Sequence, residues 1–283
     1  GSAFKPFTAV AALESGLAPS QRLVGNGPIK LDYGRPEKWE VDNFEGSDMG
    51  RVDLPTALRK SVNTAFAQIG VAAGAEAITG VVKRVGIDVD AALGDGSQRG
   101  PSIALGGVAH GVSALEMATA YSVFANGGNA VEPYLIERVL DADGEVLYER
   151  EPRPEPVIDP AIAGTVRWML QEAVARGTGT AARIDGLTPM GKTGTSQDAA
   201  DAWFVGSIPT LTAAVWVGDP DARVPMSNAT GGTVAAPIWH TIVAGVAAHE
   251  EQPPFPQVPD LPPAEGLELP DAERCRRSCR SSD

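Results

Sequence analysis

Apolar positions recur at helical spacing through residues 54–86, where Leu58, Val62, Phe66 and Ile69, and later Val81, Val82 and Val85, repeat along one face. The same spacing predicts a helix over 113–125 ending at Gly127-Gly128. A third apolar stripe, Ile162, Val166, Met169, Leu170 and Val174, stops at Gly177. Pro237 opens a last helix carrying Ile238, Ile242, Val243 and Val246, and the run 8–14 is helix-forming up to a natural stop at Gly16. Elsewhere the period falls to two. Residues 131–150 alternate like strands, with Asp143-Gly144 as the hairpin turn between 136–140 and 146–148. Trp203-Phe204-Val205 and the run 213–217 read as two strands joined through Pro209-Thr210.

Between these elements the pattern breaks. Residues 17–53 are rich in Gly, Pro, Asn and Asp and read as a long irregular excursion, with Tyr33, Trp39 and Phe44 as packing anchors. Residues 88–102 read as loop, and 152–160, with its prolines, as a connector. Residues 1–250 are thus expected to form one domain. Beyond Glu251 prolines and charges dominate, and 251–283 is expected to be a mobile tail. No internal repeat is visible.

Composition narrows the function classes. At 283 residues with 43% hydrophobic content the chain can bury a sizeable core. A net charge of −13 argues against nucleic-acid binding, which needs clustered Lys and Arg. No apolar run approaches the roughly 18 residues that span a bilayer. Cys275 and Cys279 are too few for a structural zinc site; a small disulfide loop and a free pair both remain open. His110, His240 and His249 share no spacing with a nucleophile or a metal site. Gly177-Thr178-Gly179-Thr180-Ala181-Ala182 superficially matches a dinucleotide-binding turn, but a helix precedes it where a strand should, so no cofactor is expected and no metal either.

Candidate chemistry lies in three separated segments. Ser2 and Lys5 in Gly1-Ser2-Ala3-Phe4-Lys5 stand at i and i+3, on one helix face at its N-terminus, where free N–H groups favour a developing oxyanion. A lysine whose ammonium is destabilised by burial or a nearby cation can take a serine proton where no histidine is at hand. Ser61-Val62-Asn63 adds a second hydroxyl and an amide. Lys192-Thr193-Gly194-Thr195, on an edge strand, offers donors for a carboxylate, while Gly194 allows close backbone approach. A capping serine, an N-cap before a helix and a lysine-protected edge are the structural alternatives for the three taken singly.

Taken together, the three segments resemble the nucleophile set of penicillin-binding transpeptidase domains, most closely the bifunctional kind that carries a glycosyltransferase domain ahead of it. The resemblance runs over roughly 1–248. It includes Ala104-Leu105-Gly106-Gly107, Asp201-Ala202-Trp203-Phe204-Val205-Gly206, and Gly231-Gly232 with Ala236-Pro237-Ile238-Trp239. It implies an α/β fold of the α+β type, a mostly antiparallel sheet flanked by helices as in β-lactamases, with the earliest strands missing and an open sheet edge in their place. It further implies that Ser2 attacks the penultimate D-alanine carbonyl of a peptidoglycan stem peptide and releases D-alanine. Lys5 would take the serine proton, and Ser61, Asn63 and Lys192 would form the relay to the leaving amine. Thr193, Gly194 and Thr195 would bind the terminal carboxylate, and the N–H groups of Ser2 and Thr195 would form the oxyanion hole. Stem peptides ending in D-Ala-D-Ala and β-lactams are the implied partners, with any membrane contact only through an upstream anchor and action on the outer face of the bacterial cell membrane. A D,D-carboxypeptidase and a β-lactam-binding sensor of the same fold are the competing expectations. A β-lactamase fits less well, because no Glu stands in a Glu-x-x-Leu-Asn context.

Overall fold

The structure, a computed structural model, describes residues 1–95, 99–196, 199–264 and 266–275. Helix α1 (Lys5–Glu14) follows a 3₁₀ turn, Ser2–Phe4, and accepts Pro6 because the first turn needs no amide there. Short strands β1 (Leu23–Val24), β2 (Ile29–Leu31), β3 (Trp39–Val41) and β4 (Arg51–Val52) punctuate the excursion read from sequence as irregular. Of the expected anchors, Trp39 packs on the small core of Ile29, Leu31 and Val41, whereas Phe44 is 62% exposed; Leu23 is buried as well.

The 54–86 run is three helices: α2 (Leu54–Lys60), α3 (Asn63–Ala73) and α4 (Ala75–Arg84). They break at Ser61 and Gly74, both at positive φ. Inside 88–102, expected to be loop, a short helix α5 (Val89–Leu93) forms because Asp88 caps it. Helix α6 (Ala114–Ala125) begins in a Ser113/Glu116 capping box. Next come β5 (Asn129–Ala130), the hairpin β6 (Arg138–Leu140) and β7 (Val146–Glu149), β8 (Glu155–Pro156), and α7 (Pro160–Arg176), capped by Asp159.

The main sheet is antiparallel, in the order β11–β10–β9, from β9 (Met190–Thr195), β10 (Asp201–Ile208) and β11 (Leu211–Gly218). Strand alternation divides two cores across it. Trp203, Val205 and Ala214 face the larger core around α1, α3, α6 and α7. Phe204, Ile208, Ala213 and Val215 face α8 (Ala236–Ala247), where Trp239 is buried and its indole donates to Ala213 O at 3.1 Å. The outer edge of β11 has no strand partner among the described residues.

After Glu251, where a mobile tail is expected from the sequence, the described chain runs along the domain. Phe255, Leu261, Leu267 and Leu269 pack on the larger core, and Gln21 exchanges hydrogen bonds with the Leu267 backbone. Strand β12 (Ala272–Arg274) then pairs with β2. Phe255 and the sparse leucines anchor this stretch to apolar surface. Cys279 lies outside the described residues; Cys275 is a free thiol.

Candidate active site

Aromatic packing fixes the turn that carries Ser2. The Phe7 ring meets Phe4 at 5.1 Å, Tyr121 at 5.8 Å and Phe124 at 6.1 Å, edge-on or stacked. The Tyr121 hydroxyl donates to Ala3 O, and Thr8 Oγ1 donates to Ala104 O at 3.1 Å. These contacts leave Ser2 partly exposed while Lys5 is wholly buried. The Ser2 hydroxyl makes no hydrogen bond among the described residues.

Lys5 Nζ donates to Asn63 Oδ1 at 2.7 Å, Ser61 O at 2.8 Å and Ser61 Oγ at 3.2 Å. Lys192 Nζ donates to the same Ser61 Oγ at 3.0 Å and to Thr193 O at 3.0 Å. One hydroxyl thus stands between two buried amines whose recorded partners are neutral oxygens. Ser61 is not the N-cap of α3. It ends α2 in the left-handed region, at φ 59° and ψ 40°, a conformation costing a non-glycine residue on the order of 1 kcal/mol. That twist lets residue 61 offer both its carbonyl and its hydroxyl to Lys5.

Burial drives the electrostatics. Desolvation, then the charge of Lys192, holds Lys5 well below the ordinary lysine range. Desolvation lowers Lys192 from 10.5 to about 7. Both lysines therefore hold protons weakly, the property a base or relay needs near neutrality.

Asn63 is oriented from behind. Its Nδ2 donates to Asp42 O at 3.0 Å, so its Oδ1 faces Lys5. The start of α3 is fixed by Asn43, a buried side chain whose Oδ1 accepts from Thr64 N at 3.1 Å and Thr64 Oγ1 at 3.3 Å. Asn43 Nδ2 donates to Gly25 O and Ser47 O, each at 2.8 Å.

Edge strand β9 supplies the other wall. Lys192 and Val205 are paired in register, so Lys192 shares the face of the larger core; Thr193 and Thr195 lie on the α8 face with Phe204 and Ala202. Ser196 N donates to Asp201 O at 3.1 Å. Alternation along an antiparallel pair then turns the Thr195 N–H away from β10, onto the free edge. Gly1 lies beside Thr195 O, and a Cβ on Gly194 would sit 3.1 Å from Ala3 N, so glycine is what admits this approach. The N–H of Ser2, first in its turn, has no intrahelical acceptor. Ser2 thus sits between two contacts that its neighbours make with β9. Of the residues singled out from sequence, Lys5, Ser61, Asn63 and Lys192 form one hydrogen-bonded cluster, and the turn that carries Ser2 lies against the stretch of β9 that holds Gly194 and Thr195.

Asn43 went unread in the sequence, since nothing in its spacing marks a loop asparagine as a hub. Thr178 stood in a motif weighed for another chemistry. Its hydroxyl lies 2.6 Å from Thr193 Oγ1.

A helix-borne serine set against the edge strand of a helix-flanked antiparallel sheet, with lysines where other enzymes use histidine, defines the class as penicillin-recognising. The chain belongs to the family described as the penicillin binding protein transpeptidase domain, whose model matches residues 1–244. It is 32% identical over 286 residues to penicillin-binding protein 1A of Rickettsia bellii, covering 92% of this chain and 35% of that protein. The chain spans about a third of the length of such curated relatives. Penicillin-binding protein 1A from Haemophilus influenzae superimposes with a TM-score of 0.80 at 25% identity, over 98% of this chain and 48% of that one. PonA1 of Mycobacterium tuberculosis, solved in complex with penicillin V, gives 0.80 at 27% identity, over 92% and 72%. The chain is thus a penicillin-binding transpeptidase domain of α/β architecture.

Proposed function

We propose that this domain is a serine D,D-transpeptidase that cross-links peptidoglycan through an acyl-enzyme on Ser2. The observation that carries the reading is the buried Lys5 amine, held by three neutral oxygens, Asn63 Oδ1, Ser61 O and Ser61 Oγ. In a neutral amine two N–H groups satisfy the two carbonyl oxygens, the Ser61 hydroxyl donates to the lone pair, and that contact gives way when the amine receives a proton. Ser2 Oγ attacks the penultimate D-alanine carbonyl as Lys5 takes its proton. The N–H groups of Ser2 and Thr195 receive the oxyanion, each such donor being worth about 3 kcal/mol of barrier. The departing D-alanine nitrogen takes a proton through Ser61 Oγ, which Lys5 and Lys192 re-supply. An amine of a neighbouring stem peptide then attacks the acyl-enzyme, its proton passes by way of Lys5 to Ser2 Oγ as the ester bond breaks, and the amide cross-link is released. Thr193 and Thr195 hold the terminal carboxylate. β-Lactams resemble the D-Ala-D-Ala end and acylate the same serine.

The same reading gives a longer protein a glycosyltransferase and an anchor from which it works on the outer face of the bacterial membrane, and the greater length of the relatives leaves room for both. Intact-mass measurement after penicillin treatment tests the core of the proposal: a stable adduct mapping to Ser2 is expected, and none on Ser2→Ala. Adduct on another residue overturns the nucleophile. With paired stem peptides, cross-linked product is the expected outcome; D-alanine release without cross-links makes the domain a carboxypeptidase, and neither makes it a sensor.

A further inference from the structure

We infer that Thr178 is a positioning residue for the carboxylate subsite, acting through the hydroxyl of Thr193; this rests on the transpeptidase reading above. Thr178 follows the end of α7 in the turn Gly177-Thr178-Gly179. Its N–H donates to Arg59 O at 3.3 Å, and the Gly179 N–H donates to Ala173 O at 3.0 Å. The turn is therefore clamped between the end of α7 and the end of α2, two residues before Ser61. A Cβ at Gly177 would stand 2.5 Å from Arg59 O, so only glycine lets the turn close this far. The clamp brings Thr178 Oγ1 to 2.6 Å from Thr193 Oγ1.

Thr193 is 7% exposed, while Thr178 is exposed. One hydrogen only can lie between two hydroxyl oxygens. When a substrate carboxylate draws the Thr193 hydrogen, Thr178 becomes the donor to Thr193 Oγ1. A hydroxyl that accepts one bond donates its own more strongly, and its rotamer is fixed before substrate arrives. Thr178 touches no reacting atom. Its effect belongs to the binding of the anion and not to bond making.

Saturation kinetics with a fluorescent penicillin bearing its free ring carboxylate separate the two. Thr178→Val keeps the shape and removes the hydroxyl; Thr178→Ser restores it. The Val variant is expected to weaken the precovalent complex by about tenfold, the order of one charge-assisted hydrogen bond. Its acylation step should stay within about twofold and its unfolding midpoint should not move, and the Ser variant should recover wild-type binding. Wild-type binding by the Val variant overturns the role, as does failure of Ser to rescue, or a loss confined to the acylation step. Failure of the wild type to acylate at Ser2 is a separate result: it removes the transpeptidase reading, and the role of Thr178 with it.

Discussion

Two amines that share one serine hydroxyl do not both keep their charge cheaply once water is removed. Lys192 falls from 10.5 to about 7 on burial, so between those values the unfolded chain binds a proton that the folded chain does not. Stability therefore rises with pH across that window, by about 1.4 kcal/mol per pH unit for one full proton, and the penalty is complete below the folded value. Lys192→Met removes this difference. Denaturant titrations at pH 7.5 and 9 should show a smaller gain with pH in the variant than in the wild type; equal gains would mean Lys192 keeps its charge in the fold. Loss of the Lys192 charge also removes the second cause of the lowered Lys5 value. The acidic limb of the pH–acylation profile should then move to higher pH, with acylation at pH 7 falling by tenfold or more.

At the scale of elements, the site depends on the break between α2 and α3. Ser61 ends one helix and Asn63 begins the next, and the two turns face Lys5 only if the start of α3 is anchored. Asn43 does this from the excursion, spending both N–H donors on Gly25 O and Ser47 O and its acceptor on Thr64. Asn43→Ala takes this partner from Thr64 and from Ser47 O, while Gly25 O keeps the Met49 N–H at 3.3 Å, at about 1–3 kcal/mol for each group left unsatisfied. Urea denaturation should show a loss of about 2–4 kcal/mol. At permissive temperature acylation should also slow, because Asp42 O no longer holds the Asn63 amide. Unchanged stability would reduce Asn43 to a surface link.

For the whole molecule, the segment after Glu251 works as a strap. Arg167 stacks over Phe255 at 5.3 Å and donates to Pro256 O at 2.8 Å, and Gly266 N donates to Gly16 O at 3.1 Å. The ion pairs Lys38–Glu273 and Arg274–Asp48 join its far end to the excursion, but exposed pairs add little. Apolar cover is the larger effect. Ending the chain at Glu251 uncovers the patch under Phe255, Leu261, Leu267 and Leu269, and should lower the melting temperature by at least about 5 °C. The strap also closes over the β2–β3 pair that precedes Asn43, so the shortened chain should lose thermal protection there first in hydrogen exchange. An unshifted melting temperature would return the segment to a tail.

Local features were legible from the order of residues: the helices from their apolar stripes, the hairpin from Asp143-Gly144, and the segments of the proposed nucleophile set from Ser2, Lys5, Ser61, Asn63 and Lys192-Thr193-Gly194-Thr195. Each of these signals is carried by neighbours a few positions apart, where backbone geometry alone fixes which side chains share a face. Tertiary structure decided the rest. Only packing could show that Asn43 rather than Phe44 anchors the excursion, that Thr178 meets Thr193, and that a proline-rich end lies across the core. Those contacts join residues far apart in the chain, and their energies come from burial and from satisfying hydrogen bonds out of water, terms that no local pattern encodes.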